Sequence, residues 1–277
     1  MHYHLPCKMF VTDYDGTLAS TSGFVSLANI DALERLGEKG IVRVIATGRS
    51  LFSLFQVIDF TFPVDYVIFS SGLGIINLKT KKIRSKSTLE KSDTKLIMKW
   101  LSQNGYNFML HKAPPDNHRF YAYTAEYEHD DFQRRLAHYM RLDVKLLVDP
   151  PELASQFVVI CNDDEGHFQH IQSAFNNFKV IRTTSPFDGI SLWVEIFPYD
   201  VSKAHGITEI CNELSIESKN VHVVGNDFND SDMLEWSVNS FVVENGSEAL
   251  KQIYTVIPSN TDNGIAFLIN NLLANTV

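Results

Sequence analysis

Asp13 and Asp15, in the run Asp13-Tyr14-Asp15-Gly16-Thr17, stand two residues apart where a short apolar stretch ends. If the chain is still extended there, both side chains point the same way. Two ionised carboxylates that close repel unless a cation or a proton intervenes, and a divalent cation is the economical answer. Asp-x-Asp alone is more often a polar turn. The full Asp-x-Asp-Gly-Thr pattern arises by chance in on the order of one chain in a few hundred. Thr47-Gly48-Arg49-Ser50 also follows an apolar run. A hydroxyl, a glycine that permits close backbone approach and a helix start suit a phosphate group, although Thr or Ser before a helix is commonly a plain N-cap. Lys203 falls in the first turn of a predicted helix, where the macrodipole disfavours a cation that lacks a compensating anion; the bland alternative is a surface lysine. Gly225 to Asp230 offers Asn226, Asp227, Asn229 and Asp230, oxygen donors suited to a hard cation. An EF-hand loop from Asp227 fails, because its sixth position is Asp232 and its twelfth Val238.

The elements that must position these residues are readable as apolar runs and helical spacings. Lys8 to Thr12 reads as a buried strand that stops at Asp13. Ile30, Leu33 and Leu36 recur at helical spacing before Gly40, then Ile41 to Ala46 forms a second strand; a helix over Leu51 to Ile58 and a third strand, Tyr66 to Phe69, follow. Such alternation predicts a parallel sheet with crossover helices, whose ligands bind at the carboxyl ends of the strands. From about Lys79 the pattern changes. Helices near Leu89 to Gln103, Tyr127 to Tyr139 and Phe168 to Phe175 are interleaved with strands at Phe108 to His111, Phe120 to Thr124, Phe157 to Cys161, Lys179 to Thr183 and Ser191 to Phe197. After Pro198 the alternation resumes with a helix (Lys203 to Leu214), strands at Val221 to Val224 and Ser240 to Val243, and a closing helix after Gly264. The expectation is an α/β fold, a Rossmann-like parallel sheet formed by residues 1–80 and 194–277, split by an inserted α+β cap at 81–193.

Composition narrows the function classes. The chain has 277 residues, 44% hydrophobic and 21% charged, the usage of an ordinary soluble globular protein with a core large enough to need no staple. The net charge of −9 repels phosphate backbones and anionic lipid, so neither nucleic acid nor membrane is an expected partner. Three distant cysteines, Cys7, Cys161 and Cys211, form neither a disulfide framework nor a CxxC knuckle. No apolar run approaches a bilayer span, and the first twelve residues lack the apolar core of a secretory signal; the cytoplasm is the expected location. His167 and His170 share a helix face and could hold a metal, but with no third ligand evident they read as a solvated helix end. His2 and His4 read as flanking a frayed terminus. The aromatics Tyr121, Tyr123, Phe157 and Phe168 read as core rather than as a base-stacking platform.

Taken together in chain order, the Asp pair, Thr47, Lys203 and the acidic cluster resemble the haloacid dehalogenase superfamily of phosphohydrolases, in its Cof-type branch with a large cap after the third strand. The resemblance runs from Phe10-Val11-Thr12-Asp13-Tyr14-Asp15-Gly16-Thr17-Leu18 through Ile45-Ala46-Thr47-Gly48-Arg49 and Val201-Ser202-Lys203 to Gly225–Asp230 and Met233-Leu234, with Asp262-Asn263-Gly264-Ile265-Ala266 similar to the family's closing turn. It implies that Asp13 is a nucleophile forming an aspartyl phosphate and that Asp15 is the general acid and base. Thr47, Gly48, Arg49 and Lys203 would meet the substrate's phosphoryl group. Mg²⁺ would take oxygens from Asp13, Asp15 and the last cluster, with Asn226, Asp227 and Asp230 as candidates. A carboxylate is a competent covalent catalyst for phosphoryl transfer when a metal offsets the charge.

Two departures stand out. The family usually carries Asp directly after the glycine, where this chain has Asn226; and Ser70-Ser71-Gly72 stands where Asn-Gly is common. The expected function is a Mg²⁺-dependent phosphatase acting on a small phosphorylated metabolite. The alternatives are a phosphotransferase or phosphomutase sharing the nucleophile, and a catalytically silent phospho-ligand sensor.

Overall fold

The computed structural model describes residues 7–20, 23–85, 88–127, 129–139, 145–146, 151–162, 165–185 and 187–274. His2 and His4 lie outside the described residues. The chain divides into two units: one takes the chain up to Ser85 and again from Ser202, and the other is the stretch between.

In the first unit, β1 (Met9–Thr12), α1 (Leu27–Glu38), β2 (Val42–Ala46), α2 (Leu51–Leu54) and β3 (Tyr66–Phe69) alternate as the apolar runs predict. Ser26 caps α1 through its hydroxyl, and Gly40, at φ +72°, ends it. The helix expected to reach Ile58 is only one turn, because the amides of Gln56 and Val57 reach back three residues, to Ser53 and Leu54, as tight turns. Between β3 and the helix near Leu89 the sequence predicts no strand, yet β4 (Gly74–Asn77) and β5 (Ile83–Ser85) add an antiparallel hairpin to the sheet.

The second unit follows, with β6 (Leu89–Glu90), α3 (Lys91–Gln103), β7 (Asn107–Lys112), β8 (Phe120–Tyr123), α4 (Asp130–Tyr139), β9 (Lys145–Leu146), β10 (Leu153–Cys161), α5 (Glu165–Ala174), β11 (Lys179–Thr184) and β12 (Leu192–Phe197). Its strands lie in the order β11-β12-β10-β7-β8-β9, with β6 on β10, and all pairs but β8–β9 are antiparallel. Because β12 is bonded to β10 and β11, the chain re-enters the first unit at Ser202, eight residues later than the expected 194. Phe157 is fully buried in this unit's core, and Tyr121, Tyr123 and Phe168 pack against it, as expected of core aromatics.

The chain then completes the first unit with α6 (Lys203–Leu214), β13 (Val221–Gly225), α7 (Ser231–Trp236), β14 (Asn239–Val243), α8 (Glu248–Lys251), β15 (Thr255–Ile257) and α9 (Gly264–Ala274). The strand order is β15-β14-β13-β1-β2-β3-β4-β5, parallel from β15 to β3. Alternate residues of these strands feed two apolar layers. Phe10, Ile45, Val67 and Val224 join one with α1 and α9; Met9, Val11, Val44 and Val223 join the other with α6 and α7. Connections leave β1 toward β2 on one side, while β13 and β14 build outward on the other. The switch point between β1 and β13 is where a doubly wound sheet opens a crevice at its carboxyl edge.

Candidate active site

That crevice is where the sequence's candidate residues meet. Asp13 follows the last residue of β1, and its amide is held by the Val224 carbonyl of β13 at 2.9 Å. Lys203 is the first residue of α6, whose N-cap, Ser202, accepts a hydrogen bond from the His205 amide. It is no surface lysine: the side chain is buried, and its ammonium donates to Asp13 Oδ1 at 2.7 Å and to Asp230 Oδ1 at 2.5 Å. Two anions thus compensate a cation that the helix start would otherwise disfavour.

This buried group sets two carboxyl groups against a single ammonium. Burial would pull the Lys203 ammonium below its ordinary pKa, but Asp13 and Asp230 outweigh it and hold it above. Burial pushes the Asp13 carboxyl up to about 7, opposed by Lys203 and reinforced by Asp230 and Asp15. One ammonium cannot compensate two carboxylates. Asp13 Oδ2 takes no hydrogen bond among the described residues, so the site's excess charge is presented there.

Asp230 is held at both ends. Its Oδ1 accepts from Lys203 and its Oδ2 from the amides of Asn226 (2.8 Å) and Asp227 (3.3 Å). With both oxygens engaged, Asp230 is placed to anchor Lys203 and the loop, whereas the sequence reading had counted it among the metal-binding oxygens. Gly225 permits this fold-back, since a Cβ there would lie 2.6 Å from Asp230 Cβ. Asp227 caps the turn at Phe228–Asp230, its Oδ1 accepting from the Phe228 amide at 2.8 Å. Asn226 faces the first loop instead: its Oδ1 accepts from the Thr17 hydroxyl at 3.0 Å, and its amide would crowd any Cβ at Gly16, a residue at φ +75°.

Asp15 is not aimed at Asp13. It forms a two-pronged ion pair with Arg49, Nε to Oδ2 and Nη2 to Oδ1, both 2.7 Å, and the guanidinium lies over the Tyr14 ring. Arg49, expected on the substrate, is therefore on the second aspartate. Thr47 is buried, and its hydroxyl oxygen accepts from the Arg49 amide at 3.1 Å, which leaves the hydroxyl proton for another acceptor. At Gly48 a Cβ would make only ordinary contacts with Ser71 Oγ (3.6 Å) and Asn229 (3.9 Å), so the protein itself does not demand glycine there.

Sequence reasoning missed Ser71. Ser70 and Ser71 have φ of 47° and 57°, a left-handed conformation that costs a non-glycine residue about 1 kcal/mol or more. The Ser71 amide bonds the Thr47 carbonyl, while its buried hydroxyl has no partner among the described residues. The signal was present in Ser70-Ser71-Gly72 itself, a departure noted without a consequence.

The donors fit Mg²⁺. Every candidate ligand is a hard oxygen, two buried carboxyl groups share one ammonium, and Asp13 Oδ2 has no competing hydrogen bond among the described residues. Asp13 and Asp15, with Asn226, Asp227 or Asp230 from the last cluster, would hold the ion.

Comparison with known proteins agrees with this geometry. A family model described as haloacid dehalogenase-like hydrolase matches residues 10–269. A 5-amino-6-(5-phospho-D-ribitylamino)uracil phosphatase of Bacillus subtilis is 23% identical over 96% of this chain and 98% of its own length. A putative phosphatase of Streptococcus pyogenes is 24% identical over 97% and 99%. Among solved structures, a haloalkanoate-superfamily phosphatase from Bacteroides thetaiotaomicron superposes with a TM-score of 0.78 at 20% identity, covering 96% of this chain and 95% of that one. A subclass IIB sugar phosphatase does so at 0.75 and 18%, covering 95% and 98%. With a match from β1 into α9, the chain belongs to the haloacid dehalogenase-like hydrolases.

Proposed function

We propose that this protein is a Mg²⁺-dependent phosphatase that hydrolyses a small phosphorylated metabolite through an aspartyl phosphate on Asp13. The observation that carries the reading is the buried Asp13–Lys203–Asp230 group, in which the nucleophile is fixed by Lys203 at one oxygen and unbonded at the other. Names of relatives support the substrate class: one acts on a phosphoribitylamino-uracil and a structural neighbour is a sugar phosphatase. A cytoplasmic metabolite pool would supply such esters; among the described residues no helix is long and apolar enough to cross a membrane.

In this mechanism a carboxylate oxygen of Asp13 attacks phosphorus and the bond to the ester oxygen breaks. Asp15 gives that oxygen its proton, then takes one from the water that attacks the aspartyl phosphate, releasing phosphate and restoring Asp13. Lys203 and the Thr47 hydroxyl hold phosphoryl oxygens as charge builds on them. Bound Mg²⁺ would lower the repulsion between Asp13 and the phosphate and stabilise the charge that develops in transfer. Arg49 pairs with Asp15, and we assign it the role of exchanging from Asp15 to the entering anion, which frees Asp15 for proton transfer. Residues between the two halves of the core would choose among substrates.

The test is phosphate release from a panel of phosphorylated metabolites with and without Mg²⁺, with Asp13→Asn as control. Release that needs Mg²⁺ and disappears in a folded Asp13→Asn protein is expected. Release that survives in that variant would sink the covalent mechanism. Adding competing alcohols or phosphate acceptors in the same assay separates hydrolysis from phosphoryl transfer.

A further inference from the structure

We propose that Tyr106, His167 and His170 form a binding site for one Zn²⁺ ion in the second unit. The two histidines lie one turn apart on α5, and the structure supplies the third ligand their sequence lacked. Tyr106, just before β7, brings its hydroxyl to 3.2 Å from the Nδ1 atoms of both His167 and His170. Two ligands about 2.0–2.1 Å from a tetrahedral zinc stand about 3.3 Å apart, so both oxygen-to-nitrogen distances already match edges of such a site.

The surroundings favour a fixed ligand set. Tyr106 is 7% exposed and stacks on Trp100, with ring centroids 5.9 Å apart and planes 13° apart. Trp100 also lies against His170 (4.9 Å) and Phe175 (5.0 Å), so the phenol is held by packing. His167 is half-buried and His170 exposed, so solvent reaches the pair. The chemistry is that of a borderline cation: two neutral imidazoles and a phenol suit zinc, whereas the all-oxygen set around Asp13 suits Mg²⁺.

Without metal, the hydroxyl can donate to one Nδ1 and must accept from the other, so one imidazole carries its proton on Nδ1. Binding releases the phenol proton to solvent and moves that imidazole's proton to Nε2, which gives the ion two nitrogen lone pairs and a phenolate. The ion would tie α5 to the entry of β7.

Titrating the full chain with Zn²⁺ in excess Mg²⁺, by calorimetry and thermal melting, tests this. One Zn²⁺ per chain that raises the melting temperature is expected. Tyr106→Phe, which keeps the packed ring, should weaken that binding more than about tenfold, and His167→Ala and His170→Ala should abolish it. Co²⁺ in place of Zn²⁺ should give the intense visible spectrum of a tetrahedral site, lost in the same variants. Zinc uptake that is absent, or is unchanged in Tyr106→Phe, overturns the site and leaves the cluster a hydrogen-bonded staple. Should either alanine variant misfold, Tyr106→Phe decides alone.

Discussion

At the scale of single residues, Asn226 stands where the resemblance leads one to expect an aspartate. Its side-chain oxygen faces Thr17 and Gly16 beside Asp15, whereas Asp227 is engaged in capping the next turn. If Asn226 occupies the metal-ligand position with a neutral oxygen, Asn226→Asp adds a negative charge against Mg²⁺ and should lower the concentration giving half-maximal activity several-fold. Asp227→Asn should then change that concentration little. Mg²⁺ titrations of both variants read this directly, and the reverse ranking would give the ligand role to Asp227. A companion prediction concerns Asp15. Asp15→Asn should still form aspartyl phosphate from an activated aryl ester but should hydrolyse it at least about a hundredfold more slowly; rapid-quench trapping of the phosphoenzyme measures it, and normal hydrolysis would exclude Asp15 as the base. Each of these side chains was legible in the sequence, because each sits within a few residues of an apolar run that stops abruptly. Their partners were not. That Lys203 bridges Asp13 and Asp230, and that Arg49 grips Asp15, depends on which strands become neighbours, and residue spacing along the chain does not encode that.

At the scale of elements, β13 carries a cost beside the site. His222 is fully buried in this strand, parallel to the Phe241 ring at 6.2 Å, and neither ring nitrogen has a hydrogen-bond partner among the described residues. Burial lowers its pKa from 6.5 to about 4. The unfolded chain therefore binds a proton between these values that the folded chain refuses, so stability is fully present above pH 6.5 and falls as pH drops toward 4. The shift corresponds to about 3 kcal/mol. His222→Leu should remove that slope and should not destabilise the protein at pH 7.5, since it deletes two unsatisfied polar atoms. Denaturant melts of both proteins at pH 7.5 and pH 4.5 give the comparison; an unchanged difference between the two pH values would show that His222 stays solvated. The strands themselves were well anticipated, β1, β3, β7 and β12 to within a residue or so, because buried parallel or central strands are continuous apolar runs. The hairpin of β4 and β5 was missed for the opposite reason. Ser70, Ser71 and Gly72 reverse the chain through three consecutive positive φ values, a geometry that serine composition does not announce. Tyr106, the zinc ligand proposed above, was likewise invisible, since its contacts with His167 and His170 depend on how the entry of β7 packs on α5.

At the scale of the whole molecule, chemistry and core are partitioned in the same way. All nine candidate residues, Asp13, Asp15, Thr47, Gly48, Arg49, Lys203, Asn226, Asp227 and Asp230, belong to the first unit, which the chain leaves at Ser85 and rejoins at Ser202. Among the described residues, each of the four buried layers is drawn from one unit alone, two layers from each. A unit that buries its own apolar faces on both sides of a sheet has what independent folding requires. Replacing residues 86–201 with a short Gly-Ser linker should therefore leave a protein that unfolds cooperatively and still turns over an activated aryl phosphate in the presence of Mg²⁺. Discrimination among metabolite esters should collapse, because the side chains proposed to recognise the leaving group are gone while those that hold the phosphoryl group remain. Comparing kcat/KM for the aryl ester and for the best metabolite, before and after the replacement, reads both effects. A folded core that has lost the aryl reaction as completely as Asp13→Asn would place an essential catalytic group in the removed segment.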